Sequence, residues 1–496
     1  MRVSFAVVFC LMSLVLGCAT GGPRILGHRG TRGEYQENCA EALSLALGRG
    51  ITGFETDVRM TKDGQLVIMH DDHVERVSDG RGIVEELTLA ELKQFRLNNS
   101  SDRIPTLEEM LAPLKGRKDV FIELEMKSSG LTKPARLDDY LGKTYATATR
   151  MLEPGTFAFT SFDEDYLKRM HELHPDARTG LIGGKLGEEM IAKARAIGCS
   201  QIAPLLKDAT RELMDKAHAE GLAVTLWMVQ NAEDWERARE LGADAVTSDY
   251  PILLDEAVKG KRKRLVAMDL DATLCQHRSP IPPENLKALD ALTNRYHCVM
   301  IGAGNAPRIY RQMGNYPIEI VGNYGMQESE VRDGEFVIVR AVTNEVDRAF
   351  FREKTDYLRK KYGYTKYEGE PLEFHASGMV TFGLLGTSPS AEHKVAFDPD
   401  RRKRRAMYGE VCEIFRDYSV YIGGSTSFDF AGKLNNKYDA TLDWAKRHGY
   451  ELEDIVFIGD DFADGGGDSH VRIKGMDHIV INDYRNFASA VGVLLK

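Results

Sequence analysis

The chain has little tryptophan, three residues in 496, and only 16 prolines and seven cysteines. Five of those cysteines (Cys39, Cys199, Cys275, Cys298, Cys412) lie scattered beyond the first twenty residues, odd in number and unlike a disulfide framework. Positive charge is not in excess. Lys and Arg number 65 against 75 Asp and Glu, a net charge of −10, which argues against the basic surface that nucleic-acid binding needs. The one basic run in the middle of the chain, residues 259–264, reads as a solvated linker, with a nucleic-acid patch as the alternative. No apolar run reaches the roughly 20 residues of a membrane-spanning helix.

What is present is an ordinary soluble composition, 43% hydrophobic and 28% charged, in a chain long enough for two domains. The apolar stretch at residues 3–16 follows Arg2 and precedes Gly17-Cys18-Ala19, the form of a secretory h-region. Val15-Leu16-Gly17-Cys18 resembles a bacterial lipobox, with Cys18 as the residue to be lipidated, although Leu16 stands where a smaller residue is usual. The expectation is an exported lipoprotein, membrane-anchored or periplasmic, with 1–18 as its signal segment. A misplaced start on a cytoplasmic protein is the alternative.

From about residue 23 to 258, short apolar runs alternate with amphipathic stretches. Strands are expected at 24–27, 53–59, 65–70, 120–127, 157–162, 201–205, 223–229 and 245–248. Helical patterns such as 40–47, 107–114, 164–173 and 233–241 lie between them, and this alternation predicts a TIM-type parallel (β/α)8 barrel. In such barrels the chemistry gathers at the C-terminal strand ends. Glu55 and Asp57 are two apart in a strand and share a face, as do Glu123, Glu125 and Lys127. Inward carboxylates repel unless a cation neutralises them, so Glu55, Asp57 and Glu125 are candidate ligands of a divalent metal, Mg or Ca. Ion pairing with Arg59 or Lys127 is the competing explanation. His28 and His70 both end strands, where two imidazoles can serve as general base and general acid across a phosphodiester.

The segments His28-Arg29-Gly30, Glu37-Asn38, Glu55-x-Asp57-Val58, Thr61-Lys62-Asp63-Gly64, His70-Asp71, Glu125-x-Lys127, Ser161-Phe162, Trp227 and Thr247-Ser248-Asp249-Tyr250-Pro251 occur in the order seen in the glycerophosphodiester phosphodiesterase family, which this half resembles. The resemblance implies a metal-dependent enzyme that cuts a glycerophosphodiester into an alcohol and sn-glycerol 3-phosphate. His28 and His70 take the acid–base positions, Glu55, Asp57 and Glu125 the metal positions. Arg29 and Lys127 would face the phosphate, and Trp227 the substrate pocket. Gln36 and Cys39 replace a usual Pro and Thr, and Met228-Val229-Gln230 a usual Thr-Val-Asn, so the leaving alcohol is open.

The second half, 265–496, starts with a buried-strand pattern that delivers Asp269 to a strand end. A carboxylate there can attack phosphorus, and Asp271 is placed to protonate the leaving oxygen. With Thr273 and the later Gly459-Asp460-Asp461 and Asp468, this half resembles the haloacid dehalogenase superfamily, a doubly wound α/β core using Mg. More closely, Arg278, Asn323-Tyr324-Gly325, Glu373-Phe374, the run 423–429, Lys437 and the run to Asp468 are similar to eukaryotic-type phosphomannomutases. The resemblance implies an α/β cap inserted at about 341–430, Asp269 as nucleophile, Asp271 as acid–base and Lys437 on the phosphoryl group. Asp460 would ligate Mg with Asp269 and the Asp271 carbonyl, with Asp468 close by.

Three departures qualify that likeness. Asn305 stands where a phosphate-binding Ser or Thr is usual, and its amide can still donate. His375-Ala376-Ser377 and Thr387 replace the arginines that would clamp a second phosphate, while Ser427 and Asp429 remain to hold hydroxyls. Gly467 replaces a usual Asn. A phosphatase is therefore expected rather than a mutase, making the chain a bifunctional hydrolase of small phosphodiesters and phosphomonoesters. A phosphodiesterase with a non-catalytic phosphosugar-binding half and a sugar-phosphate mutase half are the alternatives. The cluster 401–405 reads as a solvated cap face, or less simply as an anion contact. Oligomeric state is left open.

Overall fold

The computed structural model describes residues 21–128 and 134–495, so the lipobox and Cys18 lie outside the described residues. Among the described residues, no helix is long and apolar enough to cross a membrane.

The first half contains β1 (Arg24–Gly27), β2 (Gly53–Met60), β3 (Leu66–Ile68), β4 (Phe121–Met126), β5 (Phe157–Ser161), β6 (Thr179–Ile182), β7 (Gln201–Ala203), β8 (Ala223–Trp227) and β9 (Ala245–Ser248). All but β3 run parallel, and β1 pairs with both β9 and β2, which closes the ring of a TIM-type barrel. Two strand expectations need correction. The segment at 65–70 is no barrel stave, because β3 runs antiparallel to β2 as its outer partner. The missing stave is β6, four residues long and interrupted by Gly180. A Cβ at Gly180 would lie 2.5 Å from Gln201, so the glycine admits a neighbour's side chain and removes the apolar residue that would mark the strand.

The second half is built on β10 (Leu265–Met268), β11 (His297–Ile301), β12 (Glu319–Gly322), β13 (Gln327–Arg332) and β14 (Glu335–Ala341). A four-stranded antiparallel sheet follows: β15 (Leu372–Phe374), β16 (Val380–Gly383), β17 (Tyr418–Tyr421) and β18 (Ser427–Gly432). The chain then returns to the first sheet as β19 (Ile455–Gly459) and β20 (His478–Val480). Strands β12-β11-β10-β19-β20 are parallel, a doubly wound order whose reversal lies between β10 and β19. Crevices for ligands open at such a reversal, beyond the carboxyl ends of the strands. Both central strands are buried along their length, which explains their unbroken apolar sequences. The inserted sheet has its own aromatic core of Phe351, Phe382, Phe415, Phe428 and Phe430.

The two halves share a packed seam, while the connecting run 259–264 is exposed at every residue but Lys263. The Lys263 side chain is only 7% exposed, with its ammonium 2.9 Å from Glu256 and paired with Asp477. Arg49 of the barrel binds the same Asp477. Tyr250 and Leu253 share an apolar cluster with β10 and β11, and the Val480 N–H donates to the Gly33 carbonyl at 2.8 Å. The cluster 401–405 is a solvated face at Arg402 and Lys403 but not at Arg401, Arg404 and Arg405. Arg401 reaches Asp461 at 2.7 Å, Arg405 reaches Asp79 of the barrel at 3.0 Å, and Arg404 is buried on Asp398 at 2.8 Å. Carboxylates shielded from water need cationic partners; Arg405 supplies one across the seam, and Arg401 and Arg404 supply them within the second half.

Candidate active sites

The barrel site is assembled at the carboxyl ends of β1, β2 and β4. Glu55, Asp57 and Glu125 offer ligand atoms that all lie within 4.8 Å of one another. Glu55 Oε1 is buried without a hydrogen-bond partner, the condition expected of a group that holds a cation, while the buried Asp57 Oδ1 faces the Lys127 ammonium. Burial, then Asp57 and Glu125, push the Glu55 carboxyl well above its ordinary range. Burial also acts on Asp57, but Lys127 and Arg29 outweigh it and hold Asp57 below its ordinary value. Protein cations share the neutralising role. Lys127 Nζ lies 2.6 Å from Glu125 and 3.2 Å from Asp57, as the ion-pair alternative required of Lys127. Arg59 is instead turned to the His70 carbonyl and Asp72. The Arg29 N–H donates to Glu55 Oε2 at 2.8 Å, and Asn38 donates to Asp57 Oδ2 at 2.8 Å.

The histidines flank this triad with matching geometry. His28 Nδ1 lies 2.6 Å from Asp249 Oδ1, and His70 Nδ1 lies 2.6 Å from Asp71 Oδ1. Each ring thus presents Nε2 for proton transfer, and His28 Nε2 is 4.0 Å from Glu55. Burial, with Arg29 and Lys127 nearby, holds the His70 imidazole below its ordinary value against the pull of Asp57. Trp227 stands at the rim, its ring edge-on to the exposed Phe162 at 6.1 Å and its N–H on the Ala203 carbonyl. Sequence reasoning did not assign the supporting layer. Gln230 donates to Asp249 Oδ2 at 2.8 Å, and Arg76 links Asp71 to Glu37. The available signal for Asp249 was its place one residue past the end of β9, in the segment Thr247-Ser248-Asp249-Tyr250-Pro251. Arg76 gave none.

In the second half, Asp269, Asp460 and Asp468 offer ligand atoms within 4.8 Å of one another. Lys437 Nζ lies 2.9 Å from Asp269 and 2.7 Å from Asp468. Asp468 accepts from the N–H groups of Asp460 and Asp461, and Thr273 donates to Asp460 at 2.8 Å. Burial, with Asp468 adding to it and Lys437 opposing, raises the Asp269 carboxyl above its ordinary range. Asp271 is separate from this cluster. Arg308 contacts it through two nitrogens at 3.2 Å, Gln312 donates at 2.7 Å, and the Arg278 N–H donates at 2.7 Å. Burial would raise Asp271, but those donors outweigh it and hold it below its ordinary value. Arg308 and Gln312, four apart on one helix, were not foreseen.

A cleft of about 1020 Å³ runs from Asp271, Arg278, Asn305 and Arg308 to Ser427 and Asp429 of the inserted sheet. Asp429 accepts from Thr381 at 2.8 Å. Asn305 is partly committed, since its side-chain oxygen caps helix Ala306–Gln312 by accepting from the Arg308 N–H. Asp269 and Lys437 are not among the lining residues of the cleft.

The first half is thus a closed parallel barrel with a carboxylate triad and two carboxylate-held histidines at one end. Residues 28–253 match the Glycerophosphoryl diester phosphodiesterase family, and the N-terminal half is a domain of that family. A glycerophosphodiester phosphodiesterase of Caldanaerobacter subterraneus is 29% identical over 243 residues, 47% of this chain and 97% of that protein. One of Bacillus altitudinis is 28% identical over 247 residues, 48% of this chain and 97% of that protein. A phosphodiesterase of Oleispira antarctica, solved in complex with the product sn-glycerol-3-phosphate, aligns with a TM-score of 0.45 at 24% identity. That alignment covers 48% of this chain and 98% of that one.

Proposed function

We propose that the barrel hydrolyses a glycerophosphodiester to an alcohol and a phosphomonoester, and that the second half dephosphorylates a phosphomonoester. The observation that carries the first step is the pair of carboxylate-held histidines on either side of the Glu55–Asp57–Glu125 triad. A divalent cation held by that triad would supply charge neutralisation at the phosphate. Arg29 and Lys127 orient the phosphate, while His28 and His70 move protons at the attacking and leaving oxygens through Nε2. The family match and the similarity to glycerophosphodiester phosphodiesterases support this step.

The second step rests on the site alone. Asp269 at the end of β10 is the nucleophile, Lys437 steadies it, and Asp269, Asp460 and Asp468 are the groups suited to Mg. The cap's Ser427 and Asp429 hold substrate hydroxyls. Export and lipidation at Cys18 remain part of the proposal. Mass spectrometry of the native N-terminus finding an intact Met1 would remove them.

The experiment is a product time course by ³¹P NMR with glycerophosphodiester and divalent metal. Wild type should form monoester and then inorganic phosphate. Asp269→Asn should stop at the monoester, formed at an undiminished rate, because an amide is a poor nucleophile. Identical monoester end-points for both proteins would sink the coupled second step and leave the first.

A further inference from the structure

After β3 the chain leaves the barrel in a long excursion, residues 71–103, before helix Leu107–Leu111. It begins beside His70 and carries the groups that orient that ring. Arg76 Nε donates to Asp71 Oδ2 at 2.5 Å, and its two terminal nitrogens donate to Glu37 at 2.7 Å each. Glu37 also accepts from Arg29 at 3.1 Å. The aim of His70 therefore depends on where Arg76 stands, and the Arg76 carbonyl is held by Asn98 Nδ2 at 2.9 Å.

The excursion is fastened from outside the barrel at two points. Asn99, next to Asn98 and only 4% exposed, donates to Asn482 at 3.0 Å and accepts from the Phe462 N–H at 3.2 Å. Its own N–H donates to Gln36, the neighbour of Glu37, at 3.0 Å. At the other point Asp79 brackets the Arg96 backbone, accepts from Arg405 at 3.0 Å, and offers its carbonyl to Arg402. The Asp79–Arg405 pair is largely shielded from water, so losing one partner leaves a desolvated charge. Val74, Val77, Leu92 and Leu97 pack the excursion on the barrel and set its general place. The polar ties at Asp79 and Asn99 set the edge from which Arg76 reaches.

We propose that the C-terminal half positions the second histidine of the barrel, with Arg405 on Asp79 and Asn482 on Asn99 as the positioning residues. This rests on the diesterase assigned to the barrel. It gives the fusion a physical role that does not require turnover in the second site.

The test uses full-length protein with divalent metal and a glycerophosphodiester, comparing wild type, Arg405→Ala, Arg405→Lys and Asn482→Ala. Small misplacements of a catalytic group lower rate steeply. Each alanine variant should lose about tenfold in kcat with KM within about twofold, because Arg29 and Lys127 also hold to Asp57 of β2, at 3.7 and 3.2 Å, apart from the excursion. Arg405→Lys keeps an ion pair with Asp79 and should recover most of the loss. If Arg405→Ala does not fold, as read by its melting transition, Asn482→Ala at the other tie decides alone. Folded alanine variants with wild-type kcat, or with KM alone changed, overturn the positioning role. A wild type that leaves diesters uncut overturns the diesterase assignment instead.

Discussion

Asp249→Asn is a sharp probe of the barrel because the surrounding hydrogen bonds leave the new amide no comfortable orientation. The Asp249 N–H donates to Gln230 Oε1 at 3.0 Å, which forces Gln230 Nε2 toward Asp249 Oδ2, at 2.8 Å. An asparagine that keeps its oxygen toward Gln230 turns its NH2 on His28 Nδ1. The ring must then carry its proton on Nε2, where it can no longer accept one. The opposite orientation preserves the ring tautomer but sets two donors face to face in a buried site. Either way a hydrogen bond to a charged group is lost, worth about 1.5–3 kcal/mol. If that loss falls on the transition state, it converts to roughly a 10- to 200-fold decrease in kcat/KM. The assay is steady-state hydrolysis of a glycerophosphodiester with release of the monoester followed enzymatically, at saturating metal. The Asp249 carboxylate and N–H bond to His28 and Gln230 rather than to the three triad carboxylates, so the metal concentration for half-maximal rate should stay put. A variant within twofold of wild type would refute the orientation of His28 by Asp249, and with it the acid–base assignment of that ring.

Two other outcomes follow from the same geometry. Glu125→Gln removes one of three clustered ligand groups while Lys127 keeps its contact with Asp57. Loss of even a supporting partner of a metal ligand lowers affinity 10- to 100-fold, so the metal dependence of the diesterase should shift by roughly 100-fold or more. An unchanged metal titration would reassign the cation. Glu34 is buried, caps the helix Pro251–Val258 through the N–H groups of Ile252 and Leu253, and is pushed up to about 8 by that burial. Its folded value exceeds its unfolded one. The folded state therefore retains a proton that the unfolded chain releases, and stability falls as pH rises from about 4.5 to about 8. The melting temperature of wild type should drop more across that window than that of Glu34→Gln, and parallel curves would show that Glu34 does not titrate there.

The barrel was legible because its signals are local. Strands alternate with amphipathic helices, and the pleat puts Glu55 and Asp57 on one face without reference to the rest of the chain. Strand β6 was not legible, since four residues with a central glycine carry no pattern. The direction of β3 was equally hidden, because residues 66–68 look the same whether the strand runs with its neighbour or against it. His70 nonetheless reaches the site by that antiparallel strand, where a stave had been expected to deliver it.

Residue types and spacings by themselves determined the chemistry on offer: clustered carboxylates, strand-end histidines, an aspartate after a buried strand. Only the tertiary structure decided which groups complete one another. His28 meets Asp249 across 221 positions because β1 closes the ring against β9. Asp271 meets Arg308 because the helix after β11 turns that face toward it. Arg401, Arg404 and Arg405 look like part of a solvated charge run in one dimension, and in three they become the partners of Asp461, Asp398 and Asp79. A charge's partner is set by which surfaces exclude water together, and that is a property of the closed chain rather than of any stretch of it.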